Sequence, residues 1–215
     1  EQIKEYKKLG SFKNINLKNS NNNDLILNKI STIIKNEKYL SKLSNYESDI
    51  IKNVFKELFD SSSSIFKLND YVFEEIKTLP DEKVLSYLFH RYRYEVHPEK
   101  NILDDYPPYL QIEPSSICNY RCVFCFETDK SFTDKKSGHM GTMNIDLFKN
   151  IIDQAVGNVE FLSLASRGEP LISKSINEML RYTEGKFLNL KLNTNASLLN
   201  EEKIHSILSG GVKTV

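Results

Sequence analysis

The apolar residues in the first half of the chain recur every three or four positions, which predicts helices that each bury one face. Polar runs at residues 19–23 and 61–64 predict loops between helices. The three expected buried faces comprise Leu25, Ile26, Ile30, Ile33 and Ile34; Ile51, Val54, Phe55, Leu58 and Phe59; and, after a helix start at Asp81 and Glu82, Leu85, Leu88, Phe89 and Tyr92. We therefore expect residues 1–105 to form a small helical domain that docks a partner or recognises a substrate.

The pattern changes after Tyr106-Pro107-Pro108, because consecutive prolines cannot continue a helix. Strands are predicted at 109–113, 159–164, 187–192 and from Val212 onward, and helices after the capping residue Asn144, at 173–182 and at 201–208. This alternation predicts an α/β fold in residues 106–215, with parallel strands and right-handed crossovers, as in a barrel or an open doubly wound sheet. Because the chain stops in what reads as a new strand, we expect it to be truncated.

Composition narrows the classes of function. The 29 basic and 29 acidic residues cancel, so the chain offers no electrostatic attraction to nucleic acid or to an anionic membrane surface. No apolar run approaches the ~20 residues of a membrane helix, and the first residues lack the order of a signal peptide. The three cysteines form a single cluster and cannot pair evenly, which argues against a secreted disulfide framework and favours the cytoplasm.

That cluster is Cys118, Cys122 and Cys125, and thiolates are the natural ligands of iron–sulfur clusters and of zinc. Three thiolates can hold three irons of a [4Fe–4S] cube and leave the fourth iron open. A structural zinc site needs four ligands, and His139, fourteen residues past Cys125, is the only nearby histidine. Both kinds of site remain open at this point.

Two further polar sequences follow the next two predicted strands. Arg167-Gly168-Glu169-Pro170 follows the second strand and Asn193-Thr194-Asn195 follows the third, while the cysteines follow the first. Because the carboxyl ends of parallel strands meet at one edge of a sheet, we expect these three sequences to converge there.

The spacing Cys-x3-Cys-x2-Cys, with Phe124 before the last cysteine, resembles the radical S-adenosylmethionine superfamily, especially the branch that often carries a C-terminal auxiliary-cluster domain (SPASM or twitch). Gly168-Glu169-Pro170 resembles the second motif of the family, and Asn195 lies in a segment where the family often has Thr-Asn-Gly. The sequence departs from the family at Arg167 and Ala196, where glycine is frequent. The resemblance covers about residue 109 to the end of the chain.

The resemblance implies a partial (β/α)6 TIM-like barrel, of which this chain holds the N-terminal part behind a small helical domain. Cys118, Cys122 and Cys125 would ligate a [4Fe–4S] cluster whose fourth iron is chelated by S-adenosylmethionine. Phe124 would lie near the adenine, Gly168, Glu169 and Pro170 would hold the methionine amino group, and Asn195 would contact cofactor or substrate.

The implied activity is that of an oxidoreductase. One electron, supplied by a reductant such as flavodoxin or ferredoxin, cleaves S-adenosylmethionine to a 5′-deoxyadenosyl radical. That radical would abstract hydrogen from a peptide, a protein or a small molecule. The alternative is a non-catalytic iron–sulfur or zinc protein with a helical interaction module. A Rossmann-like binding domain is disfavoured because no Gly-x-Gly-x-x-Gly turn follows the first strand.

Several residues keep a second interpretation. Arg167 could pair with a carboxylate of cofactor or substrate, or face solvent. Glu169 could be an acidic residue at a helix start, Phe124 could pack in the core, and His139 could be an exposed loop residue rather than a substrate contact. Ala196 disfavours a positive φ, so the loop around it is expected to bend differently from a glycine-containing one.

Overall fold

The computed structural model describes residues 20–60 and 65–215. The chain divides into two compact units, residues Glu1–Leu85 and Ser86–Val215. The loop predicted at 61–64 and the start of the loop predicted at 19–23 lie outside the described residues.

The described part of the first unit is helical, as the apolar spacing predicted. It contains helices α1 (Ser20–Ile34), α2 (Glu37–Leu40), α3 (Asn45–Phe55) and α4 (Asp70–Thr78), a π-helical turn (Lys56–Asp60), and the start of α5 (Asp81–Lys100). The start of α3 is fixed by a capping box, in which Ser44 and Glu47 exchange side-chain and backbone hydrogen bonds. Ile30, Ile51, Val54 and Ile76 are among the fully buried residues around which these helices pack.

Two details of the helical prediction are wrong. Ser20 and Asn23 already lie inside α1 rather than in a loop, so the helix begins within the polar run at 19–23. Leu25 is 65% exposed, whereas Ile26, Ile30, Ile33 and Ile34 of the same predicted face are buried, and Phe59 of the second predicted face is 37% exposed. Side chains at the edge of an apolar stripe are the ones whose burial the spacing alone defines least.

The second unit alternates strands and helices. After the C-terminal part of α5 come β1 (Tyr109–Ile112), α6 (Lys130–Thr133), α7 (Ile145–Ala155), β2 (Phe161–Leu164), α8 (Ile176–Tyr182), β3 (Asn189–Leu192) and α9 (Glu201–Ser209). The strands form a parallel sheet in the order β1-β2-β3, which confirms the α/β prediction. Thr214 forms a parallel bridge with Lys191, so the segment predicted as a further strand does lie beside β3. No helix in the described ranges has the length and apolarity required to cross a membrane.

One face of the sheet carries the hydrophobic core of this unit. Leu162, Leu164, Leu190 and Leu192 point to this face and pack against the helices that connect the strands. The residues those helices contribute include Phe148, Ile152, Ile176, Met179, Leu180 and Ile207. Side chains in a strand alternate between faces, so residues 161, 163, 189 and 191 lie on the other side.

The C-terminal part of α5 contacts that other face at the amino-terminal ends of the strands, through aromatic and polar groups. The ring of His90 stacks on Phe161 with 3.7 Å between ring centroids, and its Nδ1 lies 2.8 Å from the carbonyl oxygen of Pro108. Arg93 is buried and forms ion pairs with Asp104 and Glu160. Burial lowers the pKa of His90 to about 3, so this imidazole is neutral near pH 7, and its Nδ1–H donates to Pro108.

Candidate functional site

The three polar loops predicted to converge do meet at the carboxyl edge of the sheet. The backbone N–H of Glu169 donates to the carbonyl oxygen of Ile117 at 2.9 Å, which joins the loop after β2 to the segment leading into the cysteines. The backbone N–H of Asn195 donates to Glu169 Oε2 at 2.7 Å, and Asn195 Nδ2 lies 3.8 Å from Cys118 Sγ. The loops after β1, β2 and β3 therefore form one connected site.

The cysteine loop holds its shape largely through backbone contacts. All three cysteines are free and half-buried. The N–H of Tyr120 donates to Cys118 Sγ at 3.4 Å, and Arg121 Nη1 donates to the carbonyl oxygens of Cys118 and Tyr120, both at 2.7 Å. Arg121 thus fixes the turn between the first two thiols while it leaves the sulfurs available.

The three thiols are not grouped as the ligands of a single metal ion. A tetrahedral zinc at about 2.3 Å from each sulfur requires its ligands to lie close together. Within residues 20–60 and 65–215, no three His, Cys, Asp or Glu side chains are grouped closely enough to hold one metal ion. The thiolates of a cube bind three different irons and so stand farther apart. His139, the candidate fourth zinc ligand, is exposed, and its ring packs beside Phe132 at 6.0 Å between centroids.

Gly168 is where the second loop comes closest to the cysteine loop. A Cβ built at this position would lie 2.2 Å from the carbonyl oxygen of Ser115, 2.6 Å from the carbonyl carbon of Ser116 and 2.7 Å from the nitrogen of Ile117. All three are backbone atoms of the segment that enters Cys118, and no larger residue fits without moving that segment. Glycine is required here by close approach rather than by an unusual φ.

Glu169 links the second and third loops. It is buried, and its Oε1 accepts hydrogen bonds from the N–H of Leu171 at 3.0 Å and from Thr194 Oγ1 at 2.6 Å. The bond to Leu171 caps the 3₁₀ turn Pro170–Ile172, so the helix-start interpretation of this residue describes its local structure. Its Oε2 accepts one hydrogen bond, from Asn195, and keeps a second lone pair.

Arg167 pairs with Glu113 at the end of β1, a partner that neither expectation included, while its side chain stays 36% exposed. Its backbone N–H and Nε both donate to Glu113 Oε2, at 2.8 and 3.2 Å, and its Nη2 donates to Oε1 at 2.9 Å. Partial burial disfavours ionisation of Glu113, but the hydrogen bonds from Arg167 outweigh it and lower the pKa of Glu113. The same contacts raise the pKa of Arg167. We call this pair the Glu113–Arg167 brace, since it ties the end of β1 to the loop after β2.

The third loop keeps the shape that glycine would give it. Ala196 has φ of 62°, in the left-handed region, so the expectation of a differently bent loop is wrong. The strain is offset locally: Ala196 N–H donates to Thr194 Oγ1, and Asn195 Oδ1 accepts from the backbone and the hydroxyl of Ser197. Asn195 Nδ2 also donates to Asn119 Oδ1 at 3.0 Å, which returns this loop to the cysteines.

The aromatic residue beside the last cysteine points outward. Phe124 is 90% exposed, so the core-packing interpretation of this residue is wrong and its ring is available to a ligand. The residues after it form short regular segments, because Asp129 caps α6 and Asp134 caps a short 3₁₀ turn.

Sequence reasoning missed three contributors to the site. Glu113 and Arg167 lie at the ends of neighbouring parallel strands, and that juxtaposition was available as a signal. Ser197 accepts from Asn119 at 2.8 Å, a contact that depends on loop geometry. Glu127 is buried next to the cysteine loop, with Oε2 lacking a hydrogen-bond partner and lying 3.9 Å from Arg121 Nη1. A buried carboxylate two residues after Cys125 has no sequence signal of its own.

Comparison with known proteins agrees with these features. Residues 112–215 match the family model of the Radical SAM superfamily. The chain is 30% identical over 109 residues to the tungsten-containing aldehyde ferredoxin oxidoreductase cofactor-modifying protein of Pyrococcus furiosus, a match that takes in 50% of this chain. It is 22% identical over 147 residues, or 68% of this chain, to the antilisterial bacteriocin subtilosin biosynthesis protein AlbA of Bacillus subtilis.

The chain spans only about a third of these relatives, since the matches take in 29% and 31% of their lengths. Among solved structures, Streptococcus suis SuiB bound to its precursor peptide SuiA is similar with a TM-score of 0.41 and 20% identity. That match covers 78% of this chain and 37% of SuiB.

Proposed function

Residues 112–215 of this chain belong to the radical SAM superfamily, and on this premise we propose that the protein is an enzyme that cleaves S-adenosylmethionine reductively. Members of the superfamily use a [4Fe–4S] cluster and S-adenosylmethionine. The observation that carries the proposal is the site itself: three free thiols lie on one loop, and hydrogen bonds at Ile117 and Cys118 join that loop to the two other loops at the carboxyl edge of a parallel sheet.

We extend the proposal to the fold. The three parallel strands with helices on one face are the start of a partial (β/α)6 barrel spanning residues 106–215, and the described helices up to α5 belong to a helical region before it. A site at the carboxyl ends of the strands is where barrels of this type place their chemistry.

Cys118, Cys122 and Cys125 would hold the cluster, and its fourth iron would be left for S-adenosylmethionine. When bound, the cluster and S-adenosylmethionine supply a 5′-deoxyadenosyl radical through one-electron cleavage, with the electron taken from a flavodoxin or ferredoxin. Arg121 stabilises the cysteine loop by donating hydrogen bonds to the backbone carbonyl oxygens of Cys118 and Tyr120. Asn195 Nδ2 approaches Cys118 Sγ, where a donor tunes the electron density of a ligating sulfur.

The second and third loops hold the cofactor beside the thiols. Gly168 brings the loop backbone against residues 115–117, and Pro170 stiffens the turn. Glu169 has one lone pair left on Oε2 for a cationic amino group, which makes a charge-assisted hydrogen bond. Phe124 offers an exposed ring face for the adenine.

We favour the form of this proposal in which the substrate is a peptide or a protein. This choice is supported by the relative named for subtilosin biosynthesis, a bacteriocin, which matches the largest share of this chain among the relatives described above. The second candidate function is a non-catalytic metal protein, in which the helical domain binds a partner. The half-buried, hydrogen-bonded thiols are compatible with it.

Anaerobic reconstitution of the full-length protein with iron and sulfide tests the proposal. We expect about four irons per chain and formation of 5′-deoxyadenosine after a strong reductant and S-adenosylmethionine are added. Cys122→Ala should abolish cluster assembly while far-UV circular dichroism stays unchanged, because the helices of the first unit contain no cysteine. Stoichiometric zinc with no S-adenosylmethionine binding would instead establish the second candidate.

A further inference from the structure

The sheet face opposite the hydrophobic core carries a row of polar side chains. The parallel register aligns Gln111 of β1 with Ser163 of β2 and Lys191 of β3. These three residues alternate with the leucines of the core, so they share the other face of the sheet. We call Gln111, Ser163 and Lys191 the polar row.

Two buried polar atoms on this face lack partners. Ser163 is only 1% exposed, and its hydroxyl oxygen has no hydrogen-bond partner. Asn189, which shares the face of Lys191 on β3, has a buried Oδ1 that is also without a partner. Buried polar atoms are nearly always hydrogen-bonded, so the unpaired Ser163 hydroxyl, which can donate, points to a ligand that accepts a hydrogen bond.

The charge of the face is positive. Lys191 is exposed, and across residues 20–60 and 65–215 no ion pair to it is formed within 4.0 Å. One row nearer the loops, the Glu113–Arg167 brace neutralises itself. One row farther from the loops, the ring of Phe161 stacks on the neutral ring of His90, so this row carries no charge.

We propose that the polar row is a substrate subsite that binds a carboxylate, an inference that rests on the proposed function. The Lys191 ammonium pairs with the carboxylate, and the Ser163 hydroxyl donates to the same group. One cation beside one hydroxyl suits a carboxylate, whereas phosphate sites gather an arginine fork or several backbone N–H groups. Lys191 precedes Thr194 of the third loop by three residues, so the subsite lies about 10 Å along the strand from the loops. One substrate could therefore contact the polar row and the loops at the same time.

Chemical protection of Lys191 tests the subsite directly. The reconstituted full-length protein, saturated with S-adenosylmethionine, is treated with an amine-reactive ester, and the labelling rate of each lysine is read by peptide mass spectrometry. The probes are glutarate and acetyl-Ala-Glu-Ala-amide, with glutaramide and acetyl-Ala-Gln-Ala-amide as their neutral counterparts. Lys174, which is exposed, is the internal control.

We expect an anionic probe to slow labelling of Lys191 severalfold, with Lys174 unaffected and the neutral probes inactive. Stronger protection by the peptide identifies a peptide carboxylate as the ligand, and stronger protection by glutarate identifies a small carboxylic acid. Equal protection of Lys174, or no protection of Lys191 by either anion, overturns the proposal.

Two variants separate binding from structure. By calorimetry, Lys191→Gln should weaken binding of the better anionic probe about tenfold, whereas Lys174→Gln should leave it unchanged. Ser163→Ala should weaken binding too, yet melt at the same or a higher temperature, because it removes an unpaired buried hydroxyl. A lower melting temperature with unchanged binding would assign Ser163 a purely structural role and contradict the proposal.

The subsite and the proposed function fail separately. Lys174 lies outside the polar row and outside the three polar sequences of the site, so Lys174→Gln should form 5′-deoxyadenosine in the absence of substrate as the wild type does. If the wild-type protein forms none, the proposed function is lost, while protection of Lys191 still decides whether a carboxylate binds.

Discussion

Replacing Gly168 by alanine tests whether contact between the second loop and the cysteine loop sets the geometry of the site. The new methyl group would lie 2.2 Å from the oxygen of Ser115, whereas ordinary contact begins at 3.4 Å. The strand-to-cysteine backbone must therefore retreat by about 1 Å, since the obstructing atoms are backbone and cannot rotate away. Ile117, the last of these residues, directly precedes Cys118, so the displacement reaches the first thiol.

The expected consequences follow from that displacement. Overpacking of this kind costs about 1–3 kcal/mol of unfolding free energy. A misplacement of about 1 Å at a reacting centre lowers the rate on the order of a hundredfold. We therefore expect Gly168→Ala to bind iron but to form 5′-deoxyadenosine about a hundredfold more slowly, with a lower melting temperature.

The assay measures iron per chain, the thermal midpoint and the initial rate of 5′-deoxyadenosine formation on the same preparation. Gly141→Ala is the matched control, because a Cβ there meets nothing within 4 Å. If Gly168→Ala and Gly141→Ala are indistinguishable in rate and in midpoint, the close approach has no role and the reasoning is refuted.

Three further predictions concern the surroundings of the site. Glu113→Gln should lower the free energy of unfolding by about 1 kcal/mol at pH 7, a small loss because the pair with Arg167 is partly exposed. Because folding lowers the pKa of Glu113, the wild type should be more stable than the variant above pH 4.5, and denaturant melts should show this difference vanish as the pH falls further. Ala196→Gly should raise the urea midpoint by the equivalent of about 0.5–1 kcal/mol, because φ of 62° strains alanine; a lower midpoint would contradict this. Between pH 6.5 and about 3 the unfolded chain protonates His90 and the folded chain does not, so stability should fall by about 1.4 kcal/mol per pH unit toward the acid side; His90→Gln should flatten that slope, and an unchanged slope would refute the assignment.

The parts of the fold that sequence predicted are those governed by periodicity. Helical spacing located α1, α3 and α5, and the alternation of short apolar runs with amphipathic ones located the parallel strands. Burial is less well determined at the edges of a stripe, which is why Leu25 is exposed while Ile26 is not. The capping residue Asn144 was identifiable because its oxygen needs only the next two residues to act, and it accepts from Asp146 N–H.

The features of the site that sequence missed depend on side-chain contacts that propensity and spacing do not register. Arg167 was assigned to a ligand or to solvent because its partner, Glu113, lies on a different strand and 54 positions away. The loop at Ala196 was misjudged because propensity counts only the local penalty. The structure shows compensating bonds from Thr194 and within the Asn195–Ser197 turn. At Arg167 a tertiary ion pair decided the outcome, whereas at Ala196 hydrogen bonds within the same turn offset the local penalty.

The central claim is that one iron is left without a protein ligand and receives S-adenosylmethionine. Electron paramagnetic resonance of the reduced, reconstituted protein measures this most directly, because coordination at one iron alters the signal of the whole cluster. The account predicts a [4Fe–4S] signal that shifts when S-adenosylmethionine is added, in the wild type and in Lys191→Gln alike. A cluster signal that S-adenosylmethionine leaves unchanged, or a protein that holds only zinc, would contradict it.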